Sequence, residues 1–415
     1  DHDDHDDHDD HEHEHEHEHE HEHEHEHDTH GVPQIKLRSE RFDVRGELAD
    51  PMIGIDQLRF RAAYTDYQHQ EIEGGEIGTT FSNQGYEARV ELEHQPIGDW
   101  RGVIGVQHQQ HDFSAIGAEA FLPKTDTKNT SLFLLEHYQW QDWHFELGAR
   151  QEWQQITPDN GQVRSSLSGT SLSAAALWEF LPDYSAVLTA SRSQRLPHAQ
   201  ELYADGVHLA TNTLEVGNPN LKAETSHNVE LGLRRTAGDV TFNGNVFYNR
   251  VDDYIYANTR DRFEELRLIE YTQADAEFIG VEAEASYRFS PVWSATVFGD
   301  YVRGKLTDGE NLPRIPAARF GTRLNSTWQQ WSGELELYRV DQQDKLASFE
   351  SVTSAYDMLN ATLRYQGRST GSASYSVFVR GTNLLNEEAY NHTSFLTNVV
   401  PLMGRNVSVG LQVKF

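Results

Sequence analysis

The chain contains no cysteine, so neither a disulfide framework nor a thiolate metal site is open to it. It also lacks an initiator Met and a signal peptide, beginning instead at Asp1, and on that ground it reads as a fragment or a processed form. No stretch approaches the roughly 18 consecutive apolar residues of a membrane-spanning helix. Basic residues are scarce. Lys and Arg number 34 against 66 Asp and Glu, giving a formal charge of −32, which argues against nucleic acid as a partner and for cations. No G-x-S-x-G and no Ser/His/acid set is found, so the chain is not expected to be an enzyme.

What is present begins at the first residue. In Asp1–His30, thirteen residues are His and sixteen are acidic, with none apolar. The imidazoles are His2, His5, His8, His11, His13, His15, His17, His19, His21, His23, His25, His27 and His30. Neutral imidazole and carboxylate both suit zinc, which takes four ligands at roughly 2.0–2.2 Å. A polar, low-complexity run cannot offset ordering entropy by burial, so residues 1–34 are expected to be disordered and residues 35–415 to hold the fold. Intrinsic affinity places copper above zinc and nickel close to it, so the run is not strictly selective. "HEHEH" is not read as a metalloprotease motif, because His at every second residue would be splayed by a helix. An affinity tag or a merely solvating charged tract are the plainer readings of the run.

The rest of the chain alternates apolar and polar residues with period two. Val407, Val409, Leu411 and Val413 alternate with Asn406, Ser408, Gly410 and Gln412, and Tyr86, Ala88, Val90 and Leu92 with Glu87, Arg89, Glu91 and Glu93. Such alternation puts one set on lipid or core and the other on water. About seventeen strands follow residue 34, the first centred near residue 42 and the last near residue 410. Short turns such as "WQDW", "FLPDY", "TAGD" and "WQQW" are expected to alternate strictly with long loops such as "RLPHAQELYADGVHLATNTLEVGNPNLKAE". That rhythm fits an outer-membrane β-barrel, with tight periplasmic turns and long external loops. Trp100, Trp140, Trp143, Trp178, Trp293, Trp328 and Trp331 sit at or beside the short turns, as an aromatic girdle requires. A hydrophobic share of 37% suits such a barrel, whose strands are apolar on one face only. If the last strand descends to the periplasm, parity makes the first descend too, placing the His/acid run outside the cell.

Four stretches resemble TonB-dependent outer-membrane receptors: "SRSQRLPHAQELYADG", "GNPNLKAETSHNVELGLR", "LPRIPAARFGTRL" and "NLLNEEAYNH…PLMGRNVSVGLQVKF", which ends at Phe415. The His-rich segment resembles the zinc-receptor (ZnuD-like) branch. This resemblance implies an all-β, transmembrane antiparallel barrel of 22 strands, of which about seventeen are present here. It also implies a plug domain, absent from this chain, through which a TonB-type complex supplies energy. The expected function is zinc capture and import by a monomer in the outer membrane of a Gram-negative bacterium, in contact with its lipid. Departing from the family in lacking a plug, this chain is expected to bind without actively transporting.

Beyond the run, His198 and His208 share the longest loop with Glu201, Asp205 and Glu215, and are the expected second metal site. His69, His108, His111 and His392 also map to strand tops or external loops, with surface polarity as their default role. His108 and His111 in "HQQH" are expected on opposite faces of their strand. Glu87, Glu91, Glu230, Glu334 and Glu336 are expected on the lumen, as lining or as a cation path. Two rival functions remain. One is haem or siderophore uptake, since Asn218-Pro219-Asn220-Leu221 matches a haem-receptor motif and His208 lies upstream of it as a potential iron ligand. The other is metal sequestration at the surface without transport.

Overall fold

A computed structural model describes residues 34–73, 75–118, 120–263, 266–368, 373–397 and 399–414. Period-two patterning folds nearly all of this length into one sheet. Its strands are β1 Gln34–Met52, β2 Ile55–Glu73, β3 Glu76–His94, β4 Trp100–Gly117, β5 Thr125–Trp140, β6 Trp143–Pro158, β7 Ser165–Leu181 and β8 Tyr184–Arg195. A short helix α1 Ala199–Tyr203 and two four-residue strands, β9 Asp205–His208 and β10 Thr213–Val216, follow. Then come β11 Glu224–Arg235, β12 Val240–Phe263, β13 Leu266–Arg288, β14 Trp293–Leu306, β15 Arg319–Trp328, β16 Trp331–Val340, β17 Tyr356–Arg368, β18 Ser374–Thr382 and β19 Asn406–Lys414. Each long strand pairs antiparallel with the next, and β8 passes over β9 and β10 to pair with β11. Setting β9 and β10 aside, the long strands are the seventeen expected.

The two faces separate as the alternation requires. Val90, Leu132, Leu134, Leu147, Leu188, Val229, Leu335 and Val409 are exposed on the outer face, where lipid replaces water. The inner face carries arginine–carboxylate pairs: Arg59 to Glu91 at 3.4 Å and to Glu93 at 3.0 Å, Arg150 to Glu152 at 3.2 Å, and Arg323 to Glu336 at 2.9 Å. Glu91 and Glu336 are therefore matched by arginine rather than left free to line a cation path.

At the short-turn end, aromatic rings form a chain across neighbouring strands. Tyr138, Phe145, Trp143, Trp178, Phe180, Tyr184 and Phe242 follow one another with centroids 5.3 to 6.2 Å apart. Amphipathic rings gather where hydrocarbon meets water, so this end marks one membrane boundary.

The opposite end differs from the expected rhythm. β2 ends at Glu73 and β3 starts at Glu76, while β12 ends at Phe263 and β13 starts at Leu266, so long loops do not alternate strictly with short turns. The length lies in the strands instead. β12 has 24 residues and β13 has 23, whereas crossing a bilayer takes about 9–11. Their surplus projects beyond the membrane as a paired ribbon, because strand pairing satisfies backbone groups that an irregular loop would leave to water.

Candidate outer-mouth cavity

Burial concentrates at the long-loop end, where a core of Phe81, Ala115, Phe121, Leu122, Ile156, Leu202, Tyr203, Ala204, Leu221 and Ile255 forms. The connection from β8 to β11 folds over this core as a strap, and its family-like motifs are the parts that shape it. Arg195 of "RLPH" bonds Glu224 at 2.9 Å and Glu201 at 2.9 Å, tying both ends of the strap together. In "NPNL", the Asn218 side chain accepts from the Asn220 backbone N–H at 3.0 Å, making a turn that delivers Leu221 into the core. A Cβ on Gly217 would stand 2.6 Å from the Leu202 carbonyl carbon, so only glycine allows α1 and β10 to pack this closely.

β9 and β10 pair with each other, and β10 also lies parallel to the top of β13. One buried carboxylate anchors this hairpin. Glu215 is 3% exposed and lies 2.8 Å from Nδ1 of His208; it accepts from Gln200 at 2.7 Å, Tyr271 at 2.9 Å and Thr213 at 3.2 Å. Burial pushes its carboxyl pKa up, but the bonds from His208, Gln200 and Tyr271 outweigh burial and hold it below the usual carboxylate range.

Under the strap lies a cavity of about 560 Å³ whose wall includes His69, His111, His198 and His208. The two His expected from the loop are thus brought to one cavity, but differently. His208 is stacked on Phe121 with centroids 4.2 Å apart, and its Nδ1 is committed to Glu215. His198 caps α1, its backbone N–H bonded to Glu201 at 2.8 Å, and it is exposed. His111 faces this cavity, while His108 stands apart from it, 2.8 Å from the Thr130 hydroxyl and 5.9 Å from the Tyr86 ring, as opposite faces of one strand require. His69 stacks on Phe81 at 4.6 Å. Of the expected acidic companions, Glu201 is held by Arg195, Glu215 is buried, and Asp205 is exposed. Among the described residues, no group of three or more His, Asp or Glu is placed to hold a metal ion. The thirteen His of the run, and Phe415, lie outside the described residues.

Sequence reasoning missed the cavity's polar wall. Thr125, Thr127 and Gln154 line it, and each has a buried side-chain oxygen without a hydrogen-bond partner. The signal was available as the period-two row Thr125, Thr127, Asn129, Ser131 on one face of β5. The aromatic floor, Phe81, Phe113 and Phe121, comes from two strands and a connection, and no local pattern joins those three.

The match to known proteins agrees with this architecture. Residues 2–384 fit the model of the family described as TonB dependent receptor-like, beta-barrel. The pesticin receptor of Yersinia pestis is 32% identical over 109 residues, covering 25% of this chain and 16% of that protein. Among solved structures, the copper transporter OprC superposes with a TM-score of 0.77 at 15% identity, over 90% of this chain and 65% of that one. The FrpB iron transporter from Neisseria meningitidis gives 0.70 at 15% identity, over 91% and 63%. The chain thus spans less than two thirds of these relatives, and they do not single out the zinc-receptor branch. On the match over residues 2–384, the chain belongs to the TonB-dependent receptor β-barrel family of the Gram-negative outer membrane.

Proposed function

We propose that this chain forms the barrel wall and external mouth of a receptor that captures zinc and passes it inward, with a TonB-type complex driving import in the whole receptor. The observation that carries the reading is the run of thirteen imidazoles among sixteen acids directly ahead of β1. Carboxylates concentrate divalent cations near the mouth, and imidazole nitrogens exchange them. The cavity under the strap supports the second half of the reading, since four further imidazoles share its wall. With no preformed set of three ligands among the described residues, the cavity suits transient passage better than tight storage. The fold shared with a copper transporter and an iron transporter supports a metal cargo of some kind.

Haem is the second reading, favoured by one specific feature. His208 is held by Glu215 through Nδ1 against the face of Phe121, which leaves Nε2 as its free ligand atom. Titrating the refolded chain calorimetrically with Zn, Ni, Cu and Mn, and optically with haem, separates the two. Saturable zinc binding with no Soret shift supports zinc. A Soret shift lost in His208→Ala supports haem.

A further inference from the structure

The connections that follow β14, β16 and β18 meet at one buried histidine. His392, from the connection after β18, is 7% exposed, and its Nδ1 lies 2.7 Å from the Thr353 hydroxyl of the connection after β16. Its Nε2 is buried without a hydrogen-bond partner and lies 3.6 Å from the Glu350 carboxylate. Glu350 in turn accepts the backbone N–H of Arg314, from the connection after β14, at 2.7 Å, and that of Ala347 at 2.9 Å. Gln343 adds bonds to the Ile315 and Pro316 carbonyls at 2.9 and 3.1 Å. Three separate connections therefore converge on a single imidazole–carboxylate pair.

That pair is unsatisfied with a neutral ring. If Nδ1 donates to Thr353, the Nε2 lone pair faces a carboxylate. In the other tautomer, the Nε2 proton faces an acceptor just beyond hydrogen-bond range. A buried polar atom without a partner is costly in either case. A ring protonated on both nitrogens gives Thr353 a donor and Glu350 a counter-charge. The surrounding charges favour a proton over a metal ion. Asp300 and Arg319 on the shared cavity wall neutralise each other at 2.7 Å, and Tyr356, Tyr390 and Asp341 line the same wall. Arg314 and Arg267 act electrostatically on Glu350, opposing a divalent cation there, and the Arg314 guanidinium is turned to the Ala257 carbonyl and the Phe395 ring.

We propose that protonation of His392 closes a latch on Glu350 which joins these three connections, so that the outer mouth is held tighter in acid surroundings than in alkaline ones. Glu350 sits below the usual carboxylate range because, against the upward push of burial, the neighbouring His392 ring and the backbone N–H groups of Ala347 and Arg314 hold its charge. The acceptor therefore stays charged while the ring gains its proton. The latch does not depend on zinc being the cargo.

Hydrogen exchange on the full refolded chain in lipid, corrected for intrinsic pH dependence and run with a metal chelator present, tests this. Peptides from 341–355 and 383–397 should be protected about tenfold more at pH 5.5 than at pH 8. Those from 205–216, anchored by Glu215, should not change. His392→Gln and Glu350→Gln should each abolish the difference. If His392→Gln does not fold, the imidazole ¹⁵N shifts of the unmodified protein give the same answer, showing a ring that gains its proton in step with the added protection. Wild-type protection independent of pH, an undiminished difference in either variant, or protection at pH 8 restored by zinc sulfate once the chelator is removed would each overturn the latch.

Discussion

Glu215 shows how much of the strap depends on one side chain. Four neighbours direct hydrogen-bonding groups at its two oxygens, so replacing it with Leu leaves His208, Gln200 and Tyr271 without their partner. Each abandoned buried group costs on the order of 1–3 kcal/mol, and residues 205–216 should lose hydrogen-exchange protection while β1–β8 keep theirs. The pH dependence has a definite sign. Because the folded carboxyl lies below its ordinary range, its contribution is complete above the unfolded pKa and is lost as pH falls through the lower, folded value. Exchange in this hairpin should thus stay flat from pH 8 to pH 5.5 and rise only in stronger acid. A rise already at pH 6 would show that Glu215 is not the group that sets the pH dependence. In the sequence, Glu215 was one acid among several in a long loop. Its burial follows from β10 docking on β13, 56 residues from Glu215 to Tyr271, and no local pattern carries that information.

Strands were the most legible elements, because alternation is enforced residue by residue by lipid on one side and water on the other. The same reasoning did not reach β9 and β10, four-residue strands whose sequences "DGVH" and "TLEV" are too short for period two to register. It also misjudged the external end, where β2/β3 and β12/β13 extend as ribbons in place of long loops. Two tests belong to this scale. Val409→Arg should impair membrane insertion by roughly 2–4 kcal/mol, while Ser408→Arg, on the wet face, should not; equal folding yields in lipid vesicles would show the face assignment to be wrong. Gly217→Ala forces its Cβ against the Leu202 and Tyr203 backbone, which cannot yield as a side-chain tip does. Protease cleavage within the strap should accelerate in that variant without loss of the strand signal in circular dichroism.

For the whole molecule, we propose a path from the cation-attracting His/acid run to a cavity that holds further imidazoles. The family-like motifs made the barrel legible in advance, and "RLPH", "NPNL" and "LPRIP" prove to brace the strap and the outer connections, with His198 of "RLPH" also on the cavity wall. Cargo identity rests on the His/acid run, whose chemistry is compositional. Imidazole must lose its proton to bind zinc, and neighbouring carboxylates favour the protonated form, so capture should weaken between about pH 7 and pH 5. The most direct measurement is calorimetric zinc titration of the refolded chain with and without residues 1–30, at pH 7.5. Removing the run should eliminate most of the bound zinc and leave at most about one weaker site, sensitive to His198→Ala combined with His208→Ala. Equal zinc stoichiometry in the two chains would contradict capture by the run.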